Sequence, residues 1–222
     1  MLTIHGIPIS VHTRKAIIVA REKRLEFAVE PVIPFQPPTG WAELSPTGKI
    51  PVLTHGDFVL PDSSAICAYI ERQHPQPNVY PLDARQYAQA LFFEEYMDGV
   101  VFPELVRPLF LEKVIHPRIL GRATDAAAID HLLQEVLPKI FGFLERETAR
   151  DYLAGGAFTI ADIALVSNLL NFHYLGLQID GRYQRLQEYF RRHLVRTSVQ
   201  DALAGELAPA RSMGLTIDML AA

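Results

Sequence analysis

Cysteine is nearly absent: the 222-residue chain has one, Cys67. A lone thiol excludes an internal disulfide framework and every zinc cluster built from several cysteines. The eight histidines are dispersed, and no two stand at H-x-x-x-H spacing, so no metal is expected. An excess of positive charge is also missing. With 21 Lys and Arg against 25 Asp and Glu, the net charge is −4, which offers no basic face to nucleic acid. Long hydrophobic runs are missing as well, the wholly apolar stretches being far shorter than the ~20 residues needed to cross a bilayer. The amino-terminal MLTIHGIPIS has no basic stretch leading into an apolar core, so no secretory signal is expected there. These absences together predict a cytoplasmic protein with neither a nucleic-acid nor a membrane partner. What remains is ordinary globular material, 49% hydrophobic and 21% charged, long enough for one large domain or two small ones.

Two textures divide the chain. The first mixes short strand-like runs with helices. Leu2 to His5 reads as a strand, and a Gly6-Ile7-Pro8 break follows it. Arg14 to Lys23 carries Ile17, Ile18 and Ala20 on an apolar stripe with charges opposite, which predicts a helix. Glu26 to Ile33 alternates as a strand does but contains Pro31, which cannot donate to a ladder and so predicts a sheet edge. Pro51 to Thr54 and Phe58 to Leu60 flank Gly56-Asp57, a hairpin signal. Asp62, Ser63 and Ser64 then supply N-cap chemistry for a helix carrying Ile66, Tyr69 and Ile70. The order is β-α-β, then β-β-α.

The proline-rich HPQPNVYPL stretch reads as a linker, and beyond it nearly everything is helical. The resulting division is a first domain over residues 1–76, a linker over 77–83 and an all-helical domain over 84–222. A helix is expected from Asp83 to Val101, with Pro103 and Pro108 kinking or interrupting its continuation. A long amphipathic helix from Thr124 to Arg150 carries Pro138, and Gly155-Gly156 is expected to stop it. Phe158-Thr159-Ile160-Ala161-Asp162 reads as a capping box with Asp in place of the usual Glu, opening a helix with Ile163, Leu165, Val166 and Leu169. Gln184 to Leu194 and Val199 to Leu207 are two last helical stretches.

Four local patterns stand in a definite order: Ile9-Ser10 before Arg14-Lys15, Ser45-Pro46-Thr47-Gly48-Lys49-Ile50-Pro51-Val52-Leu53, Asp62-Ser63-Ser64-Ala65-Ile66, and Phe158-Thr159-Ile160-Ala161-Asp162-Ile163-Ala164. In wording and spacing they resemble the recurring motifs of the cytosolic glutathione transferases, over essentially the whole chain. The resemblance implies a thioredoxin-like α/β amino-terminal domain, with a mixed four-stranded sheet, followed by an all-α carboxy-terminal helical bundle. It also implies glutathione as co-substrate, a small and mostly apolar electrophile as second substrate, and a homodimer.

Each candidate residue carries two readings. Ser10 stands where serine-type relatives hold the hydroxyl that contacts the glutathione sulfur; it is also a good helix N-cap. A free thiol with pKa near ~8.5 is only a few per cent ionised at neutral pH, and a donor at a helix N-terminus favours the anion. His12 and Thr13 are possible substitutes, and no tyrosine stands in the first strand or helix to serve as the activator of tyrosine-type classes. Pro51 matches the family's cis proline, which puts the backbone of Ile50 at the cysteinyl portion of the ligand; a trans proline opening an edge strand is the alternative. Ser63 and the helix amides suit a γ-glutamyl carboxylate and Asp62 its ammonium group, or both residues cap the helix and nothing more. Lys49 is a candidate for the glycyl carboxylate, or a solvated surface lysine. Cys67 reads as a small buried hydrophobe away from the reactive-thiol position of cysteine-type relatives. Thr159 and Asp162 read as folding residues. Glu94, Glu95 and Asp98 border the cleft in relatives, though a charged solvent face is their commoner role. Tyr96, Val100 and Phe102 are candidate linings of an electrophile pocket or parts of the core. The function implied is glutathione transfer; the alternatives are glutathione-dependent isomerisation or peroxide reduction, and a non-catalytic binding or regulatory protein on the same fold.

Overall fold

The computed structural model describes residues 1–216. The amino-terminal part contains β1 (Leu2–His5), α1 (Val11–Glu22), β2 (Phe27–Glu30), a single helical turn α2 (Trp41–Leu44), β3 (Val52–His55), β4 (Phe58–Pro61) and α3 (Ser63–Gln73). The strands lie in the order β2-β1-β3-β4, with β1 parallel to β2 and antiparallel to β3, so the sheet is mixed and four-stranded. Ile4 pairs with Val29 on one side and Leu53 on the other. Pro31 follows directly after β2, an edge strand, where its missing amide breaks no ladder. The β3–β4 hairpin turns on Gly56, whose φ of 65° favours glycine.

The second part is helical. α4 (Ala84–Tyr96) is capped by Asp83, whose carboxylate accepts the amides of Arg85 and Gln86 at 3.1 and 3.0 Å. Pro103 and Pro108 do not interrupt the continuation. The chain stays helical to Ile119, through wide π-type turns over Met97–Val106, the short α5 (Arg107–Phe110) and wide turns again over Leu111–Ile119. In a wide turn the hydrogen bond reaches five residues back, so a proline ring is not forced against the carbonyl four residues before it. α6 (Ala126–His131) runs through wide turns over Leu132–Val136 into α7 (Leu137–Glu147). Pro138 stands in the first turn of α7, directly after wide turns in which the hydrogen bond reaches five residues back.

α7 stops at Glu147, short of the expected Arg150, where the Thr148 hydroxyl bonds the Leu144 carbonyl at 2.8 Å. Gly155-Gly156 therefore lies in the next loop and ends no helix. α8 (Ile160–Tyr174) and α9 (Gln184–Leu194) follow. The single stretch expected over Val199 to Leu207 is two helices, α10 (Thr197–Ala204) and α11 (Leu207–Ser212), parted at Gly205.

α1 is covered on both sides. One face packs on the sheet and α3, the other on α8 and α10. The charges at the start of α1 are therefore not in solvent, Arg14 being 0% and Lys15 1% exposed, while Arg21 near its end is exposed. Burial of Ile4, Ile18, Leu53, Ile66 and Leu165 in one continuous core contributes about 1.5–3 kcal/mol per side chain. That core joins the sheet to the helical part.

Candidate active site at the start of α1

Ser10 leaves β1 through Gly6 to Ile9 and caps α1, with φ −68° and ψ 131°. Its hydroxyl accepts the Thr13 amide at 3.5 Å, a long contact that leaves most of its hydrogen-bonding capacity free. The amides of Val11 and His12 precede the first intrahelical donor, the Arg14 amide bonded to the Ser10 carbonyl, so the positive end of α1 opens beside that hydroxyl. Thr13 is 0% exposed, and its hydroxyl has no hydrogen-bond partner. A Cβ on Gly6 would come within 2.5 Å of that hydroxyl. Thr13 is sealed against the strand exit and presents nothing to a ligand.

The loop before β3 is held from within. The buried Ser45 donates to the Lys49 carbonyl at 2.7 Å, and Trp41 Nε1 donates to the Gly48 carbonyl at 3.3 Å. Val32, Trp41, Ile50 and Val52 form a small apolar cluster that seats this loop on the sheet. The Ile50–Pro51 peptide bond is cis. The Lys49 side chain is exposed.

Asp62 turns the chain into α3 at φ 81° and ψ 128°, a conformation that costs a non-glycine residue about 1–3 kcal/mol. Its Oδ1 accepts the amides of Ser64 and Ala65 at 2.9 and 3.0 Å. Ser63, 5% exposed, places its Oγ 3.4 Å from His12 Nδ1. The starts of α1 and α3 thus meet at one corner, α1 with the open amides of Val11 and His12 and α3 with the amide of Ser63, each beside a serine hydroxyl, an arrangement suited to anionic groups.

Beneath this corner lies a polar layer that sequence reasoning missed. Lys15 Nζ donates to Ser64 Oγ at 2.9 Å, Glu94 Oε1 at 3.0 Å and Asp98 Oδ2 at 2.5 Å. Burial alone would lower the pKa of this ammonium; the two carboxylates outweigh it and hold the group charged. Glu94, 1% exposed, also accepts the Tyr80 hydroxyl at 3.0 Å. Of the three acids expected to form a charged solvent face, only Glu95 does so. A signal was available: Lys15 stands four residues after Val11 and three before Ile18, on the face of α1 that those two buried residues define. Cys67 is fully buried, as expected, and burial pushes its thiol pKa up.

Of the candidate linings, Phe102 reaches the corner, with its ring 4.4 Å edge-on from that of His12. Tyr96 packs instead with Phe92 and Phe143. Val100 is partly buried against the core. Asp162 sits inside the capping box at the start of α8, accepting the Thr159 amide and hydroxyl at 2.6 and 3.0 Å.

The model for "Glutathione S-transferase, N-terminal domain" matches residues 4–78, and that for "Glutathione S-transferase, C-terminal domain" matches residues 120–192. Glutathione S-transferase 3 of Zea mays is 33% identical over 168 residues, 72% of this chain and 73% of that protein. FtsZ-localized protein A of Caulobacter vibrioides is 27% identical over 179 residues, 78% of each. Among solved structures, a glutathione S-transferase from Rhodospirillum rubrum F11 superposes with a TM-score of 0.87 at 25% identity, covering 95% of this chain and 96% of that one.

Proposed function

The chain belongs to the cytosolic glutathione transferase superfamily, and from that premise we propose that it transfers glutathione to a small, mostly apolar electrophile. The observation that carries this reading is the meeting of two helix starts at one corner, with the Ser10 hydroxyl free beside α1 and Ser63 beside α3.

Each residue takes a role its surroundings allow. Ser10 donates its hydroxyl to the sulfur, and the open amides of α1 add their dipole. A pKa shift of two units needs about 2.7 kcal/mol of preference for the anion, within the range of a charge-assisted hydrogen bond plus a helix terminus. Ile50 offers its backbone to the cysteinyl portion, next to Pro51. Ser63, through its hydroxyl and the one α3 amide left open, receives the γ-glutamyl carboxylate, Asp62 the ammonium beside it, and Lys49 the glycyl carboxylate. Asp62 Oδ1 is already committed to two amides, so its Oδ2 faces the ammonium. The helical part, entered at Phe102, supplies the apolar side for the electrophile. Isomerisation and peroxide reduction would draw on the same thiolate. We read residues 1–76 and 84–222 as the two domains, and assign the protein to the cytoplasm as a homodimer.

The test is retention on immobilised glutathione, followed by activity toward a model aryl halide. Retention with elution by free glutathione supports the reading, and passage through the resin without delay overturns it. A second reading, an interaction protein on the same fold, is favoured by the match to FtsZ-localized protein A, a relative named for FtsZ and not for a transfer reaction. Failure on the resin with an intact fold would put that reading first.

A further inference from the structure

His12 is the second residue of α1, with its side chain 21% exposed, and is flanked by two other elements. From α3, Ser63 Oγ lies 3.4 Å from its Nδ1. From the wide turns after α4, Asp98 Oδ1 lies 3.6 Å from the same nitrogen, and Phe102 meets the ring edge-on at 4.4 Å. Asp98 itself is held. Its Oδ2 accepts from Lys15 at 2.5 Å and from Ser64 at 3.2 Å. Its Oδ1 is buried and has no hydrogen-bond partner. A carboxylate clamped through one oxygen, with the other buried, unsatisfied and 3.6 Å from a ring nitrogen, just beyond hydrogen-bond length, needs a reason. The imidazole supplies one: closing that gap by a few tenths of an ångström lets an Nδ1–H donate to Oδ1 and leaves Nε2 as the free acceptor, the orientation by which a carboxylate sets a histidine to take a proton.

We propose that His12 and Asp98 form a proton-accepting dyad that takes the proton of the glutathione thiol, with His12 as the catalytic base and Asp98 as its positioning residue. This rests on the transferase reading and adds to it. Ser10 stabilises the anion, and the dyad removes the proton. The S–H proton passes to His12 Nε2 while its bonding electron pair stays on sulfur. That pair then forms the bond to the electrophilic carbon of an alkyl or aryl halide, and the halide leaves with the electrons of the bond that breaks. The imidazolium, held by Asp98, releases its proton to water, which restores the starting state.

The surroundings suit this use. Burial lowers the pKa of His12, so the ring is neutral at physiological pH. Asp98 on the helical side and Asp62 at the start of α3 raise it, while Lys15 on α1 and Lys49 on the loop lower it. A base that is neutral at rest and faces a carboxylate is ready to accept a proton and then hold it.

Two measurements test the dyad. In the unliganded protein, NMR titration of the His12 ring in wild type and Asp98→Asn reads the pairing directly. A lower His12 pKa in the variant supports it, and an unchanged value overturns it. In the protein saturated with glutathione, the ultraviolet absorbance of the thiolate is followed against pH in wild type, His12→Asn and His12→Phe, the last preserving the packing against Phe102. The expected result is a thiolate midpoint shifted to higher pH in both variants, with kcat toward the halide lowered tenfold or more and KM for glutathione changed less than threefold. Unchanged midpoints and kcat overturn the proposal while leaving the transferase reading intact. A folded wild-type protein that binds no glutathione overturns both.

Discussion

Arg14 and Glu206 form a two-pronged ion pair across 192 positions of sequence, with Nε to Oε1 at 2.6 Å and Nη2 to Oε2 at 2.7 Å, both side chains fully buried. The remaining capacity is also used. Nη1 donates to the Ser167 carbonyl and to Asn171 Oδ1 at 2.7 Å each, and the Tyr174 hydroxyl donates to Glu206 Oε2 at 2.7 Å. The pair ties the helix that carries Ser10 to α8 and to the turn before α11.

Removing one partner leaves an uncompensated charge in the core. Arg14→Met and Glu206→Met are each expected to destabilise the fold by about 3–5 kcal/mol. The double replacement Arg14→Met/Glu206→Met should cost well under the sum of the single changes, because no charge is left unpaired. Urea midpoints of the three variants measure this; strict additivity would show that the two side chains do not act as a unit.

Asp162 is the second buried anchor. It accepts the Leu153 amide at 2.8 Å, the amide and hydroxyl of Thr159, and the Tyr189 hydroxyl. Asp162→Ala leaves several buried donors unsatisfied and is expected to cost about 3 kcal/mol or more, whereas Thr159→Ala removes one cap contact at about 1 kcal/mol. Equal losses in thermal or urea unfolding would contradict the assignment of Asp162 as the hub. Neither change should alter KM for glutathione in protein that remains folded.

These residues also mark what could be read in advance. The order β-α-β, β-β-α, the capping box at Thr159 and the buried Cys67 were legible because local chemistry specifies them: Gly56-Asp57 for the hairpin, Asp62 for the helix start, alternation and 3.6-residue periodicity for the rest. Lys15 was legible as buried only by its place on the face of Val11 and Ile18, and Arg14, Glu94 and Asp98 not at all, since a charged residue on a helix face looks the same whether its partner is water or an acid 79 or 192 residues away. The wide turns that carry Pro103 past α4 escaped for a related reason, because proline chemistry says where an α-helical bond is lost but not what replaces it. At the site, Ser10 and Ser63 were visible as caps, while the link from His12 to Asp98 exists only in three dimensions.

His173 predicts an acid-sensitive window. Burial lowers its pKa to about 4, its Nε2 has no hydrogen-bond partner, and its ring stacks on Phe190 at 4.9 Å and 9°. Below pH ~6.5 the unfolded chain takes up a proton that the folded chain refuses until about pH 4. Stability from this group is therefore present in full above pH ~6.5 and is lost as pH falls towards 4, by up to about 3 kcal/mol. His173→Phe keeps the stack and removes the titration. The difference in unfolding free energy between variant and wild type should grow in favour of the variant from pH 7 to pH 4.5; a constant difference would refute the assignment.

Gly6 and Thr13 make a tight local pair. A Cβ at position 6 would meet Thr13 Oγ1 at 2.5 Å and Thr13 Cγ2 at 3.2 Å, at the point where the chain turns from β1 towards Ser10. Gly6→Ala is expected to cost about 1–3 kcal/mol through overpacking, and Thr13→Ala in the same chain should recover part of it. If the pair alters the turn that presents Ser10, the Gly6→Ala protein will also show weaker retention on glutathione resin, a loss that the second change relieves.

Ser10→Ala separates the two roles of that residue. As an N-cap its contact is a single 3.5 Å acceptance from Thr13, so the stability loss should stay near the low end of the cap range, about 0.5–1 kcal/mol. As the sulfur's donor its loss is expected to lower kcat/KM by tenfold or more, about 1.4 kcal/mol, and to raise the apparent pKa of the bound thiol. Ser10→Thr keeps a hydroxyl and an acceptable cap, and should restore part of the rate if the donor matters. A variant that loses stability but keeps kcat/KM and the thiol pKa would leave Ser10 a cap alone, and would move the burden of thiol activation onto His12 and the open amides of α1.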